Sequence, residues 1–339
     1  MKTFTARTPL DLLAIVPYVI GFHPEDSVVL LTLGKSGGPP TSFHARVDLP
    51  VTDAEQRSVS RMLRDVVRRH GVQMVGVVIY SDDVAACESF ADRLVPGLVG
   101  DGVGIVDVIR ADGERFHAVD DPEDPGTPYD LGSHPFTAAG VLEGRVVFES
   151  RAAVRDSLVG TDAEAAEAVA EEAARVLDRL SATGLGGGPL GLALTEHARW
   201  LDTLLSELVV QGAAPPSTKD AARVLVLVSF EAVREVAWAP MTRHDAHLHV
   251  ELWRGLVRRA PADLVPGASG LLGFAAWLAG DGALAWCAVD RCLEADPDDP
   301  LAHYVAMLVD QAVPPSVWAP QRVDALRIFA AFGADPQAS

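Results

Sequence analysis

The sequence predicts an α/β domain with a mixed sheet over residues 1–150, followed by an all-α domain of helical hairpins over 151–339. Three observations carry this. In the first half, short apolar runs alternate with segments of helical period, the order of a layered α/β core. Turn sequences between some of the runs are of the hairpin kind, so antiparallel pairs stand beside any crossover and the sheet is mixed. From about Arg151 onward only Val224 to Phe230 has strand-like composition, and its continuation through Glu231, Val233, Arg234 and Val236 favours one long helix over 218–238.

In chain order, Pro9 to Val19 carries Leu12, Leu13, Val16 and Tyr18 on a helical repeat, with Thr8 and Asp11 placed as a capping box. Ser27 to Leu33 is a short apolar run ending in the loop Gly34 to Pro40, the pattern of a strand buried on both faces. Phe43, Ala45, Val47 and Leu49 alternate with His44, Arg46 and Asp48, which predicts a half-exposed hairpin partner. Thr52 or Asp53 caps a helix to about Arg69, closed by His70 and Gly71. Val72 to Tyr80 reads as a strand, and a helix from Asp83 to about Leu94 is stopped by Pro96 and Gly97. Val103 to Arg110 and Glu114 to Val119 are strands joined at Ala111-Asp112-Gly113. The strand–helix–strand order implies at least one right-handed crossover. Asp120 to His134 is an irregular surface segment, and Val146 to Phe148 adds one short strand.

In the second half, Thr161 and Asp162 cap an Ala- and Glu-rich helix to Leu180, and a loop with Gly184, Gly186, Gly187 and Gly188 follows. Helices are then expected at roughly 190–210, 218–238, 242–259, 268–279, 281–295, 299–312 and 320–332. The spacing Leu272, Gly273, Ala276, Ala285, Val289, Cys292, Pro297 resembles one tetratricopeptide unit, and Pro261 and Pro297 recur 36 residues apart. An ordinary stack of antiparallel hairpins is the favoured arrangement, with a tetratricopeptide-like array over 242–332 as the alternative.

Composition narrows the function. The 339 residues exceed the usual length of one domain, and a hydrophobic content of 49% supports substantial cores. A net charge of −19 argues against nucleic acid and against anionic membrane surfaces as partners, because both need clustered Lys and Arg. Cys87, Cys287 and Cys292 show neither a disulfide framework nor metal-ligand spacing, which suits reduced thiols in a cytoplasmic protein. The N-terminus lacks the apolar core of a signal peptide. The charge-free stretch Leu264 to Gly280 is interrupted by Pro266, Gly267, Gly270 and Gly273 and reads as a buried helix. No cofactor is expected: Gly184 to Gly191 lacks the Lys-Ser/Thr of a phosphate loop, and Gly100-x-Gly102-x-Gly104 precedes a strand instead of following one.

Two separated motifs carry a family resemblance. The first is Pro17-Tyr18, Gly21-Phe22-His23-Pro24 and Ser27-Val28-Val29; the second is Ala276-Trp277-Leu278-Ala279-Gly280-Asp281-Gly282, followed by Asp296-Pro297 and Val313-Pro314-Pro315. Together they resemble an actinobacterial family, domain of unknown function 4192, over nearly the whole chain. The resemblance implies no catalytic residue and no cofactor. Members often carry cysteines after the last sheet strand, where this chain has acidic residues and prolines from Asp120 to Thr127, so no metal role is carried over.

The candidate ligand-binding residues are His23, Glu25, Ser27, Arg46, Tyr80 and Asp82. His23 would act as acid–base or ligand anchor and Ser27 as donor, with Glu25 or Asp26 orienting them. Against this, Gly21, Asp26 and Ser27 suit a turn, and no nucleophile elbow surrounds Ser27. Tyr80 and Asp82 follow a strand whose end is a usual ligand position, although Ser81 or Asp82 also suits a helix cap. Arg46, Arg110 and Arg115 on one face would recognise an anionic small molecule; surface ion pairs are the plainer role. His244, His247, His249 and Glu251 are dense but lack a metal-site order, so no metal is expected. The function expected from the sequence is a cytoplasmic, non-catalytic binding or scaffold protein with a protein partner. The alternative is a small-molecule sensor or enzyme near His23, Ser27 and Tyr80.

Overall fold

Thr8 opens the first helix as the sequence predicts. Its hydroxyl accepts from the Asp11 amide, and the Asp11 carboxylate accepts from the Thr8 amide, so both bonds of the capping box form. The computed structural model describes residues 6–34, 44–121, 123–142, 146–182, 190–210 and 215–330. Residues 35–40 of the expected loop, Phe43, most of the glycine-rich stretch 184–191 and the end of the helix 320–332 lie outside the described residues. By contact the chain divides into two units, Met1–Ala153 and Val154–Ser339.

The N-terminal unit runs α1 (Pro9–Ile20), β1 (Ser27–Leu33), β2 (His44–Asp48), α2 (Asp53–Arg69), β3 (Met74–Tyr80), α3 (Val84–Gly100), β4 (Gly104–Ala111), β5 (Arg115–Ala118), β6 (Thr127–Pro128) and α4 (Pro135–Leu142). α1 ends at Gly21, whose φ of 90° is left-handed and would strain a side chain. The strands form one mixed sheet in the order β2-β1-β3-β4-β5-β6. β1 is antiparallel to both β2 and β3, and α3 is the crossover between the parallel pair β3 and β4. On one face Val28, Leu30, Val77 and Ile79 join Leu63 and Val67 of α2 and Phe90, Leu94 and Leu98 of α3 in one core. The other face meets α1, whose Leu12 lies against Gly76 of β3.

Three local expectations are corrected here. Pro96 does not stop α3, which runs on to Gly100: Leu94 and Leu98 on either side of the proline are fully buried, and that burial outweighs one lost backbone bond. Asp83, not Ser81 or Asp82, caps α3 by accepting from the Ala86 amide. Val146 to Phe148 contributes a single parallel bridge, Phe22 to Phe148, and no strand.

The remaining elements are α5 (Arg151–Asp156), α6 (Ala163–Ala182), α7 (Leu190–Leu205), α8 (Thr218–Val228), α9 (Glu231–Trp238), α10 (Ala246–Val257), α11 (Val265–Ala279), α12 (Gly282–Ala295), α13 (Pro300–Asp310) and α14 (Arg327–Ala330). A π-helical turn, Ser206–Val210, extends α7. The single helix expected over 218–238 is broken into α8 and α9, because Phe230 is extended at φ −85° and ψ 116°. α11 starts earlier than expected, with Pro266 in its first turn, where the missing N–H costs no intrahelical bond. Among the described residues, the helix expected over 320–332 appears as a 3₁₀ turn, Val323–Ala325, and the short α14.

α11 is the core helix of this unit and packs against α10, α12 and α13. A Cβ on Gly267 would lie 2.7 Å from the Val228 carbonyl oxygen, so α11 meets the end of α8 at a separation that excludes any side chain there. Trp238, Phe274 and Trp318 pack with ring centroids 5.0–5.5 Å apart. Arg234 and Asp299, 5% and 2% exposed, form an ion pair inside the unit. Ala262–Ala279 is long and apolar enough to cross a membrane by composition, and 78% of it is buried within the protein.

Candidate functional site

One end of the sheet presents a continuous row of paired residues: Asp48, Ser27, Tyr80, Ala111, Phe116 and Thr127, one from each strand. Cross-strand partners share a face, so Ser27 and Tyr80 point to the α1 side of the sheet. Arg46 pairs with Val29 and lies on that side too, as does His44 opposite Leu31. Arg110 pairs with Ile79 and therefore faces α2 and α3. The arginine face expected from Arg46, Arg110 and Arg115 does not form, because β2 and β4 turn Arg46 and Arg110 to opposite sides.

The corner between α1 and β1 is braced by its own polar groups. Ser27 is fully buried and its hydroxyl donates to the Glu25 carbonyl. Asp26 adopts a left-handed φ of 39°. Its carboxylate accepts from the Ser81 hydroxyl at 2.9 Å, and its carbonyl accepts from the Leu49 amide at 2.8 Å. One residue thus ties the start of β1 to the ends of β2 and β3. His23 is exposed, and its amide donates to the Phe148 carbonyl at 3.0 Å. Glu25 and Asp82 are exposed as well.

Burial sets the protonation states on the α1 face. The Tyr80 hydroxyl is buried with no hydrogen-bond partner among the described residues, and desolvation, reinforced by Tyr129, pushes its pKa well above the ordinary phenol value. Desolvation pushes His44 down to about 4, so its ring is neutral near pH 7. Arg46 stays charged: a guanidinium nitrogen sits 2.6 Å from Asp48, and the group lies 5.8 Å from the Phe22 ring centroid. The six sequence candidates therefore separate. Ser27, Arg46 and Tyr80 share a buried face, while His23, Glu25 and Asp82 lie in the solvent-exposed turns at its margin.

The helical unit holds two further clusters. His244 and His247 are exposed and His249 is buried, so the three imidazoles do not share a face; desolvation pushes His249 down to about 4. Among the described residues no group of three or more His, Cys, Asp or Glu is placed to hold a metal ion. The second cluster is one the sequence reading missed. Glu172, Arg175, Val176 and Arg179 of α6 face Lys219, Asp220 and Arg223 of α8 across an open concavity of about 410 Å³. Arg175 with Arg179, and Lys219 with Arg223, each stand four residues apart, the spacing that puts two side chains on one helix face. That spacing was visible in the sequence; the packing of α6 on α8 was not.

A family model described as "Domain of unknown function (DUF4192)" matches residues 9–316. The chain belongs to that family. No curated protein and no solved structure matches it.

Proposed function

We propose that this chain is a cytoplasmic, non-catalytic binding or scaffold protein, with the helical unit as the surface offered to a protein partner. The observation that carries this reading is the dispersal of the candidate chemical groups. Ser27 is held on a turn carbonyl, Ser81 on Asp26, and His23 stands apart in solvent, so among these candidates no base faces a hydroxyl that is available to attack. The sheet topology supports the same reading: among the described strands one pair is parallel, so they form no switch point between parallel strands at which an α/β crevice opens. Three free, buried cysteines suit a reducing compartment.

A second reading, a small-molecule sensor or enzyme at the sheet end, has one observation in its favour. The Tyr80 hydroxyl, the Arg46 Nε and the His44 Nδ1 lie buried without partners among the described residues, on one face. Thermal-shift measurements against sugar phosphates, nucleotides and metals separate the two. The first reading expects His23→Ala and Tyr80→Phe to keep the wild-type response to every compound and the same partners by crosslinking in extract. A compound that stabilises the wild type and fails to stabilise both variants, with their folds intact, overturns it in favour of the second.

A further inference from the structure

We propose that the helical unit carries a docking groove for an extended, proline-bearing peptide of a partner protein, and that residues 314–329 of this chain fill the groove as a strap. The proposal rests on the reading of the helical unit as a partner surface; it names the place and the kind of partner segment.

The strap is held as a peptide ligand is held. Pro314, Trp318, Arg322 and Leu326 have φ between −75° and −70° and ψ between 125° and 148°, the polyproline-II range, with 3₁₀ turns between them. Backbone of that shape makes no bonds within itself, so its donors are free for a receptor. The Gln321 amide donates to the Ala239 carbonyl at 2.8 Å, and the Trp318 Nε1 donates to the Met241 carbonyl at 2.9 Å. Both carbonyls lie just past α9, where a helix end leaves acceptors without intrahelical donors. The Trp318 ring seats on Trp238 and Phe274, at centroid distances of 5.5 and 5.0 Å. Further along, Leu326 and Ile328 are buried, and the Ile328 carbonyl accepts from the Thr195 hydroxyl of α7 at 3.2 Å. An aromatic anchor, two aliphatic anchors and main-chain bonds between them are the parts of extended-peptide recognition.

Two observations mark the strap as separable from the helices beneath it. The family match ends at residue 316, before every one of these anchors. Between Pro315 and Phe329 only Leu326 and Ile328 are buried. Few buried side chains must therefore offset the ordering of the whole segment, which makes it the part of this unit that opens most readily. Its point of departure is fixed: Ala312 turns the chain at a left-handed φ of 48°, and the Trp277 Nε1 of α11 donates to the Val313 carbonyl at 2.9 Å. A strap lifted from Pro314 onward uncovers the Trp238 and Phe274 rings and the Ala239 and Met241 carbonyls. A partner segment with an aromatic residue and main-chain donors in the same places covers them again.

Two measurements on the full chain test the proposal. In native-state hydrogen exchange the Gln321 amide should exchange at least roughly a hundredfold faster than the Leu272 amide inside α11. Equal protection would make the strap part of the core and overturn the proposal, and this comparison needs no variant. The second is fluorescence anisotropy with a labelled peptide of residues 314–330. A tethered strap competes at an effective concentration of about 1 mM, so the wild type should bind this peptide weakly. The full chain with Trp318→Ala and Leu326→Ala, both in the strap and outside the groove, should bind it at least about tenfold more tightly. The peptide carrying Trp318→Ala should not bind. Equal affinity for wild type and variant, or no binding to a variant that keeps its helical content and melting temperature, overturns the proposal. A wild-type dimer that the peptide dissociates would assign the groove to a second copy and overturn the partner. Either failure leaves the broader reading in place, because crosslinking in extract reports a partner on any face of the unit.

Discussion

The two units hold themselves together by different means. In the N-terminal unit, backbone pairing sets the arrangement: β1 is locked between β2 and β3 by register, and side chains then fill the two faces. In the helical unit, contacts between side chains set it: Gly267 admits the Val228 carbonyl, Trp238 packs on Phe274, and Arg234 meets Asp299 in the interior. Register constrains by period, so local patterning foretells most of a sheet. Helix packing constrains by shape, which no single segment contains.

The largest effects should separate the units cleanly. Phe90→Ala, which empties the core under α3, is expected to cost about 3–5 kcal/mol. Arg234→Ala leaves the Asp299 carboxylate buried without its cation and should cost about 3–5 kcal/mol. In urea unfolding followed by hydrogen exchange, each variant should lower protection in its own unit. Equal loss of protection in both units after either change would break the comparison.

Acid should weaken both units over one pH window. His44 in the sheet unit and His249 in the helical unit are both depressed to about 4 from an ordinary value of 6.5. Below pH 6.5 the unfolded rings take up protons that the folded rings resist until about pH 4. Stability is therefore complete above 6.5, falls between 6.5 and 4, and levels off below, by on the order of 2 kcal/mol per histidine. Replacing His249 with Phe should flatten this response in the helical unit alone, read by exchange as a function of pH.

Gly267→Ala should cost about 1–3 kcal/mol, because the oxygen it meets belongs to the backbone and cannot swing aside. A melting temperature unchanged from wild type would show that α11 and α8 can slide apart, and would sharpen the idea of shape-set packing by limiting it. The smallest effect is expected at the α1 start: Thr8→Ala removes one side of the capping box and should cost about 1 kcal/mol, measured by chemical denaturation.

Much of the sheet unit was legible. The Thr8 and Thr52 caps, the turn at Gly113 and the unbroken apolar β1 and β3 all act within a few residues, and their signals lie in adjacent letters. The same locality misleads at Pro96, where burial of Leu98 by distant partners overrides a helix breaker. It misleads again at Phe230, which breaks an otherwise continuous helical pattern. The candidate residues were half legible: the corner at Pro24 to Ser27 is a polar junction between buried elements, as its composition says, but the role of Asp26 as the tie to Ser81 and Leu49 is a contact between segments far apart in sequence.

By itself the sequence determined the kind of each half: a mixed β layer first, helices afterwards, since periodicity, caps and turn residues report on neighbours along the chain. The tertiary structure alone decided which side of the sheet Arg46 and Arg110 face, and it alone set four cations of α6 and α8 around one concavity. Those outcomes depend on strand order and on helix-to-helix distance, quantities set by the simultaneous burial of many separated residues and encoded in no stretch of them taken singly.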